Sequence, residues 1–551
     1  MKGSAILKSI RLQNVRSLAD TGEIPIKPLT VLVGGNSSGK STFLRTFPLI
    51  RQSISKRIEG PILWAGDVDD YVDFGSFKET KGPDKKSIDI SFTFEIKNNG
   101  GIFGALNSAK WYPKLETACL VDYCISIHQK PSRAGRGEEV STFEVKLNAH
   151  KIVIENLRRK NMPYTIRVDD KPLTLQFDND QKENSGSLQR AISMFVMVSQ
   201  TIFGFQMPDL SGIWDALEEF VTQACGNDFP QSFELTSFLA RVFLMEKDPL
   251  AYLKNCTSNV QVDDAAKTQE EREAAEGVRT YIHEFCERYA LQNKKRQEEI
   301  KTWFILFTLY SNIQQIELYI TRYFRRVHYI APLRATAERF YRLRNLAVDE
   351  IDYQGKNFAV FLNSLSKEQL QDFQNWTSKH FNFVVQLSTK AQHISVKISR
   401  SQNLAGVNIS DSGFGYSQIL PIVAQLWFLS SKLDEKSGDD EEMPIVIAIE
   451  QPELHLHPAL QAKLVDAFIA CIKNAEEHNR QFQLIIETHS ETMVNRIGRN
   501  IARENFSADD AEIVLFEKEF DSNKSSVRIS RYNEDGMLMD WPIGFFEAGG
   551  I

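Results

Sequence analysis

Thr30-Val31-Leu32-Val33-Gly34-Gly35-Asn36-Ser37-Ser38-Gly39-Lys40-Ser41-Thr42 is the stretch on which the fold turns. Its first four residues are aliphatic or β-branched and read as a buried strand. Gly34 to Thr42 fit G-x-x-x-x-G-K-[ST], and from Ser41 to about Ser55 the apolar spacing turns helical. Each residue type has a task in holding phosphate. Glycines let the chain curl until successive N–H groups converge on an anion. The helix that follows adds its positive N-terminal end. Lys40 supplies a point charge to β- and γ-phosphates, and the Ser41 hydroxyl can ligate Mg²⁺. A chance match in a chain of this size has a probability of roughly a few per cent at ordinary glycine content. The strand-loop-helix context lowers it further.

Around this loop the chain has 551 residues, with 65 Lys+Arg against 72 Asp+Glu and a formal charge of −7. That composition is globular, and the length calls for several domains or one heavily inserted domain. The longest apolar runs, such as Trp303–Tyr310 and Ile419–Leu429, fall well short of the about 20 residues a bilayer needs. Met1–Ser17, with Lys2, Lys8, Arg11 and Arg16 interleaved, does not read as a signal peptide. The six cysteines are scattered without a Cys-x-x-Cys, so a disulfide scaffold and a zinc ribbon are both disfavoured and a cytoplasmic setting is expected.

Strand patterns are expected at Ala5–Leu12, Ser87–Ile96, Cys119–Ile127 and Phe143–Ile154. From about 187 to 326 the tract turns helical, with charge-rich faces at Gln269–Arg279 and Gln292–Lys301. Strands return at Val327, and 443–551 alternate strand and helix around a polar acidic loop at Ser430–Glu442. The expected fold class is α/β: a phosphate-loop domain with an N-terminal lobe of 1–186, a helical insertion of 187–326 and a C-terminal lobe of 327–551.

Met443–Glu453 is an apolar run that ends in acids, as a buried parallel strand does when its C-terminal end faces a nucleotide. Glu450 is the candidate metal-side acid. Gln483-Leu484-Ile485-Ile486-Glu487-Thr488-His489-Ser490 is a second such strand, and His489 is placed to hydrogen-bond a γ-phosphate. Asn408–Gln418 carries Ser412, Gly413 and Gly415 ahead of the apolar helix Ile419–Leu429, an anion-binding turn.

Phosphate loop, insertion, Ser-Gly turn, acid-ended strand and His-ended strand, in that order, resemble the ATPase heads of SMC-, RecF- and OLD-like ABC proteins. Ile10–Ser17 looks like their N-terminal strand, whose arginine, here Arg16, lies near the nucleotide. Glu450-Gln451-Pro452-Glu453-Leu454-His455-Leu456-His457-Pro458 is similar to their E-[EQ]-P-E-x-H-L-H-P block, and Tyr329-Ile330-Ala331-Pro332-Leu333-Arg334 to their Y-I-G-P-L-R segment. Tyr71–Phe77 and Asp540–Phe546 also look familiar. The resemblance covers about 1–100 and 327–551. The group it most resembles is the PtuA-like ATPase subunit of Septu-type and retron-associated antiviral systems, which pairs with an HNH nuclease.

The resemblance implies ATP and Mg²⁺ as cofactors, with Ser41 and Glu450 on the metal. It implies a homodimer, or a higher oligomer, in which Ser412 and Gly413 of one subunit close over ATP on the other. It also implies an HNH nuclease partner and, in a retron, a reverse transcriptase with its RNA–DNA product. The competing reading is a RecF/SMC-like repair or chromosome-maintenance ATPase. An OLD-like nuclease is disfavoured, because no paired acids of the Asp-x-Asp type follow His489. Gln451 stands where these ATPases place a catalytic glutamate, so hydrolysis is expected to be slow unless Glu453 or another group orients the water. Gln52 is too early for a confident Q-loop glutamine.

Two further features compete with simpler readings. Glu453, His455 and His457 alternate as zinc ligands can, but a third nitrogen or thiolate is missing, and a loop is the favoured reading. Arg322, Arg325, Arg326, Arg334, Arg339, Arg342 and Arg344, interleaved with aromatics, form a basic stripe that could bind nucleic acid or equally pair with acids such as Glu338.

Overall fold

The computed structural model describes residues 3–56, 58, 60–67, 69–82, 85–98, 118–129, 138–147, 150–159, 162–173, 294–332, 334–342, 348, 350–390, 393–431, 443–518 and 524–542. The chain divides into two units. One comprises Met1–Ser4, Glu59–Pro61 and Ser91–Thr321; the other comprises Ala5–Ile58, Ile62–Ile90 and Arg322–Ile551.

The second unit holds the phosphate loop. Its first strands are β1 (Gly3–Val15), β2 (Leu18–Asp20), β3 (Ile24–Pro25) and β4 (Leu29–Gly34). β4 is buried along its whole length, as its unbroken apolar run requires. The helix Lys40–Ser55 follows directly. It buries Phe43, Leu44, Phe47, Leu49 and Ile50, each contributing about 1.5–3 kcal/mol. Phe43 packs on Phe516 with ring centroids 5.8 Å apart, and Phe47 on Phe324 at 6.5 Å.

The other unit carries a meander. β5 (Ser87–Asn98), whose C-terminal part belongs to it, is followed by β6 (Ala118–Gln129), β7 (Glu138–Leu147), β8 (His150–Arg159), β9 (Met162–Val168) and β10 (Lys171–Leu173) in sequence order. The expected single strand Phe143–Ile154 is two strands. β7 and β8 pair antiparallel with Leu147 opposite His150, and alternation alone cannot show a reversal this short. The helix Lys294–Arg325 is the described part of the expected helical tract, and its N-terminal residues belong to this unit. Residues 187–293 of that tract and 432–442 of the acidic loop lie outside the described residues.

Glu317 on that helix has a consequence for stability. Burial pushes its carboxyl up to about 8, and the hydrogen bond from the Tyr123 hydroxyl at 3.0 Å opposes this only in part. The folded state therefore holds a proton that the unfolded chain releases near its ordinary value. The contribution of Glu317 to stability is full below about pH 4.5 and is lost as pH rises through about 8, on the order of 1 kcal/mol per pH unit. Glu317→Gln is expected to flatten that slope. Urea unfolding of both proteins at pH 5.5 and 7.5 checks it, and equal slopes would reject it.

Back in the second unit, β11 (Val327–Ile330) is followed by an antiparallel sheet of β12 (Tyr341–Arg342), β13 (Val384–Lys390), β14 (His393–Ser399) and β15 (Val407–Asn408). The remaining strands are β16 (Ile445–Glu450), β17 (Phe482–Glu487), β18 (Ala511–Lys518) and β19 (Ser525–Ser530). The central run β18-β4-β17-β16-β11 is parallel throughout. The helix Phe414–Ser431 is apolar on every side and buried from Ser417 to Ser430, which makes it the centre of the core rather than a surface helix. The helices Pro458–Glu477 and Glu491–Ile501 bring Leu464, Val465, Phe468, Met493 and Ile497 into the same core.

β17 lies between β4 and β16, so the C-terminal ends of these parallel strands open along one edge. The architecture is the α/β fold of a P-loop NTPase.

Candidate functional site

The loop is built for close backbone approach. Gly34 has φ 149°, and a Cβ there would lie 2.1 Å from the Phe516 carbonyl oxygen of the neighbouring β18. Gly39 has φ 98°, and a Cβ there would lie 2.5 Å from Leu18 Cδ2. Only glycine fits both requirements at once. Gly39 also caps the helix without a side chain, so the first-turn N–H groups keep their capacity for an anion. Ser37 takes a left-handed φ of 59°, and the Ser38 hydroxyl folds back to Gly35 O at 2.8 Å. Gly35 and Asn36 are exposed at the loop tip, and Thr42 is buried just inside the helix.

Lys40 is buried, with its ammonium donating to Gly34 O at 3.0 Å and Gly35 O at 2.6 Å. Burial lowers its pKa, while Glu487 and Glu453 pull it back up. The Ser41 hydroxyl donates to Glu487 Oε1 at 2.9 Å, and Lys40 Nζ lies 4.0 Å from the same oxygen.

Glu450 ends β16 with 1% exposure and is held by two neighbours. Arg45 makes a bidentate pair with it, Nε to Oε1 at 2.6 Å and Nη2 to Oε2 at 2.8 Å. The Tyr329 hydroxyl adds a bond to Oε1 at 2.8 Å. Arg334 reaches the backbone of the same strand end, donating to Glu450 O at 2.9 Å, and its Nε and Nη1 are buried without a hydrogen-bond partner.

Gln451 takes φ 43°, and its N–H donates to Glu487 O at 2.8 Å, which ties β16 to β17 at the edge. Glu453 Oε1 accepts the His489 backbone N–H at 2.7 Å, while its Oε2 is buried and unpartnered. Burial raises the Glu453 pKa, and burial with the neighbouring Lys40 lowers that of His489, favouring the neutral imidazole. Arg16, at φ 51°, stacks over the Phe74 ring at 4.4 Å and donates to Phe74 O at 3.2 Å. Burial first, then the neighbouring Arg45 charge, lowers its pKa.

The structure thus gathers Lys40, Ser41, Glu450, Gln451, Glu453 and His489 at one sheet edge. Ser412, Gly413 and Gly415 sit apart, at the start of the Phe414–Ser431 helix. Ser412 Oγ donates to Asn408 O at 2.7 Å, and Gly413, at φ 90°, is exposed with no atom within 4 Å of where its Cβ would lie.

Sequence reasoning overlooked Glu487. It ends β17 in register with Glu450 of β16 and Leu32 of β4, and burial together with the Glu450 charge pushes its carboxyl up to about 7. The available signal was the twin pattern of two apolar runs that both close on glutamate, Ile449-Glu450 and Ile486-Glu487.

Other expectations find different homes. Gln52 is buried, bonding Leu63 O, Val72 O and Val72 N, so it anchors the following loop and does not face the site. His457 caps the next helix through Ala459 N, His455 packs its ring on Phe414 at 4.7 Å, and no group of three or more His, Cys, Asp or Glu side chains forms a metal site among the described residues. The arginines do not form one basic surface: Arg334 is buried at the site and Arg339 pairs with Asp411 at 2.6 Å, while Arg344 lies outside the described residues. No described helix is long and apolar enough to cross a membrane.

Residues 6–494 match the AAA ATPase domain family. The chain belongs to that family. As a member it is an ATPase by domain type, which implies that it binds a nucleotide. Similar solved structures include the Smc head domain of Pyrococcus furiosus, with an extended coiled coil, bound to the C-terminal domain of ScpA. That match has 13% identity and a TM-score of 0.32, covering 95% of this chain and 96% of that one. A SmcHead bound to the C-winged helix domain of ScpA has 9% identity, 95% and 97% coverage and a TM-score of 0.30. The SMC head domain from Thermotoga maritima has 10%, 96% and 98%, and 0.29. No curated protein matches the chain.

Proposed function

We propose that this AAA ATPase-domain protein is an ABC-type ATPase that binds ATP with Mg²⁺ and dimerises around it. The observation that carries the reading is the convergence of Lys40, Ser41, Glu450, Glu487 and His489 on the edge shared by β4, β17 and β16. The residues fit the group: the loop holds Gly34 and Gly39 where a side chain would clash, and Oε2 of Glu453 and Oε2 of Glu487 are buried without a hydrogen-bond partner. When bound, Mg²⁺ supplies charge neutralisation at the phosphates. With the nucleotide bound, Lys40 would give its donors to phosphate oxygens in place of Gly34 O and Gly35 O, the Ser41 hydroxyl would help hold the cation, and Glu450 would form the acid edge behind them. His489 offers its exposed ring to the γ-phosphate.

Gly413 is exposed and Ser412 part-exposed at the start of a buried helix, where a second subunit's nucleotide can reach them, while Gly415 is half-buried against the His455 carbonyl. Phe414, 47% exposed beside them, is an apolar residue that such a contact would cover. Gln451 makes turnover slow, so the ATP-bound dimer is long-lived. In this reading the dimer holds or restrains an HNH-type nuclease partner in antiviral defence.

Light scattering of the full chain is expected to show a dimer with Mg²⁺ and ATP and a monomer with ADP. Ser412→Arg should abolish the dimer while leaving ATP binding to the monomer intact. Co-expression with an adjacently encoded HNH protein should yield a complex whose nuclease activity depends on ATP. A monomer under all nucleotide conditions would reject the sandwich, and a nuclease indifferent to nucleotide would reject the defence role.

A further inference from the structure

We infer that Glu487 is a direct ligand of the divalent cation that accompanies the nucleotide, acting together with the Ser41 hydroxyl. The inference rests on the ATP and Mg²⁺ reading above and assigns the ligand within it. Glu450 has both carboxylate oxygens committed, Oε1 to Arg45 and Tyr329 and Oε2 to Arg45. It can act on a cation only through water or after Arg45 lets go.

Glu487 is differently equipped. Its side chain is 3% exposed, its Oε1 is 2.9 Å from Ser41 Oγ, and its Oε2 is buried and accepts no hydrogen bond. A buried carboxylate with an unspent oxygen is costly unless a positive group meets it. Lys40, its nearest cation, lies 4.0 Å away and directs its own donors to Gly34 O and Gly35 O. The spacing suits a metal. Neighbouring oxygens of an octahedron with Mg–O bonds of about 2.0–2.1 Å are about 2.9 Å apart, which is the Ser41–Glu487 separation. One cation bound to both oxygens therefore needs little rearrangement once the Ser41 proton turns away. It also neutralises the Glu450–Glu487 pair, which parallel register sets side by side at the strand ends.

Mn²⁺ stands in for Mg²⁺ as the probe in the experiment that tests this. Mn²⁺ affinity is measured by electron paramagnetic resonance on the full chain with a non-hydrolysable ATP analogue, and analogue binding is measured separately in EDTA. Glu487→Gln is expected to weaken Mn²⁺ binding at least 10-fold while binding the analogue in EDTA no more weakly than wild type, since a negative charge has left the phosphate site. Glu487→Asp, which keeps the charge, should restore part of the Mn²⁺ affinity. Circular dichroism and thermal unfolding confirm that each variant is folded. Mn²⁺ affinity unchanged in Glu487→Gln, with analogue binding intact, overturns the assignment alone. So does an equal loss in Glu487→Asp and Glu487→Gln alongside a larger loss in Glu450→Gln. A wild-type protein that binds no analogue overturns the ATP reading and this inference with it.

Discussion

Lys40→Ala is expected to weaken ATP binding roughly 100-fold. Hydrogen bonds to a charged group contribute about 1.5–3 kcal/mol, and each 1.4 kcal/mol is about tenfold in affinity. Lys40 makes such bonds in a buried site, 3% exposed, where water does not screen them. The same substitution also acts on the free protein. It leaves Gly34 O and Gly35 O without the Lys40 ammonium and removes the positive group closest to Glu487. Two effects therefore have to be separated. Lys40→Arg keeps the charge but cannot fit the same turn, so it should bind ATP poorly while staying closer to wild type in thermal stability than Lys40→Ala. Isothermal titration with ATP, paired with thermal unfolding of the nucleotide-free proteins, checks both. Wild-type affinity in Lys40→Ala would mean that the loop N–H groups alone hold the phosphates.

How much of this was readable beforehand varies with range along the chain. The phosphate loop is local: every residue that shapes it lies within one strand-loop-helix, so the sequence shows the whole device. The acid-ended β16 and the apolar run of β17 were readable for the same reason, since a buried parallel strand is an unbroken apolar run, but β17 closes on Glu487 and His489 lies beyond its end. What local pattern cannot convey is which strand ends stand next to each other. Glu487 became a candidate only when β17 was found between β4 and β16, setting it against Ser41 on one side and Glu450 on the other. The clamp on Glu450 was hidden likewise, because Arg45 and Tyr329 come from a helix and a strand far apart in sequence. Arg334 shows the opposite error. It sits in a run of basic and aromatic residues that reads as a solvated surface, yet it is 5% exposed and bonds the end of β16.

Gln451→Glu is expected to raise steady-state ATP turnover at least 10-fold, and as much as general-base catalysis commonly provides, about 10²–10⁴. The backbone already holds this position. Gln451 adopts φ 43° immediately after Glu450, with its N–H fixed to Glu487 O at 2.8 Å and its carbonyl approached by Arg334 Nη2 at 3.4 Å. The side chain therefore projects from a backbone fixed on both sides, and a glutamate of nearly the same shape would inherit the direction. An amide can orient water through its oxygen but cannot take the proton, which is why the native protein is expected to turn over slowly. The new carboxylate would join Glu450, Glu453 and Glu487, so its pKa should rise and the gain in rate should grow with pH as it ionises. The same substitution should shorten the life of the ATP-bound dimer in proportion, since hydrolysis is what ends it. Phosphate release measured from pH 6 to 8, alongside dimer lifetime by light scattering after ATP is withdrawn, tests both. A turnover unchanged in Gln451→Glu, with ATP affinity intact, would move the water-activating role elsewhere. Glu453 is then the group to examine, because its Oε1 is tied to the His489 N–H while its buried Oε2 is free to accept a proton. Burial already raises its pKa, the direction that makes a carboxylate a better proton acceptor.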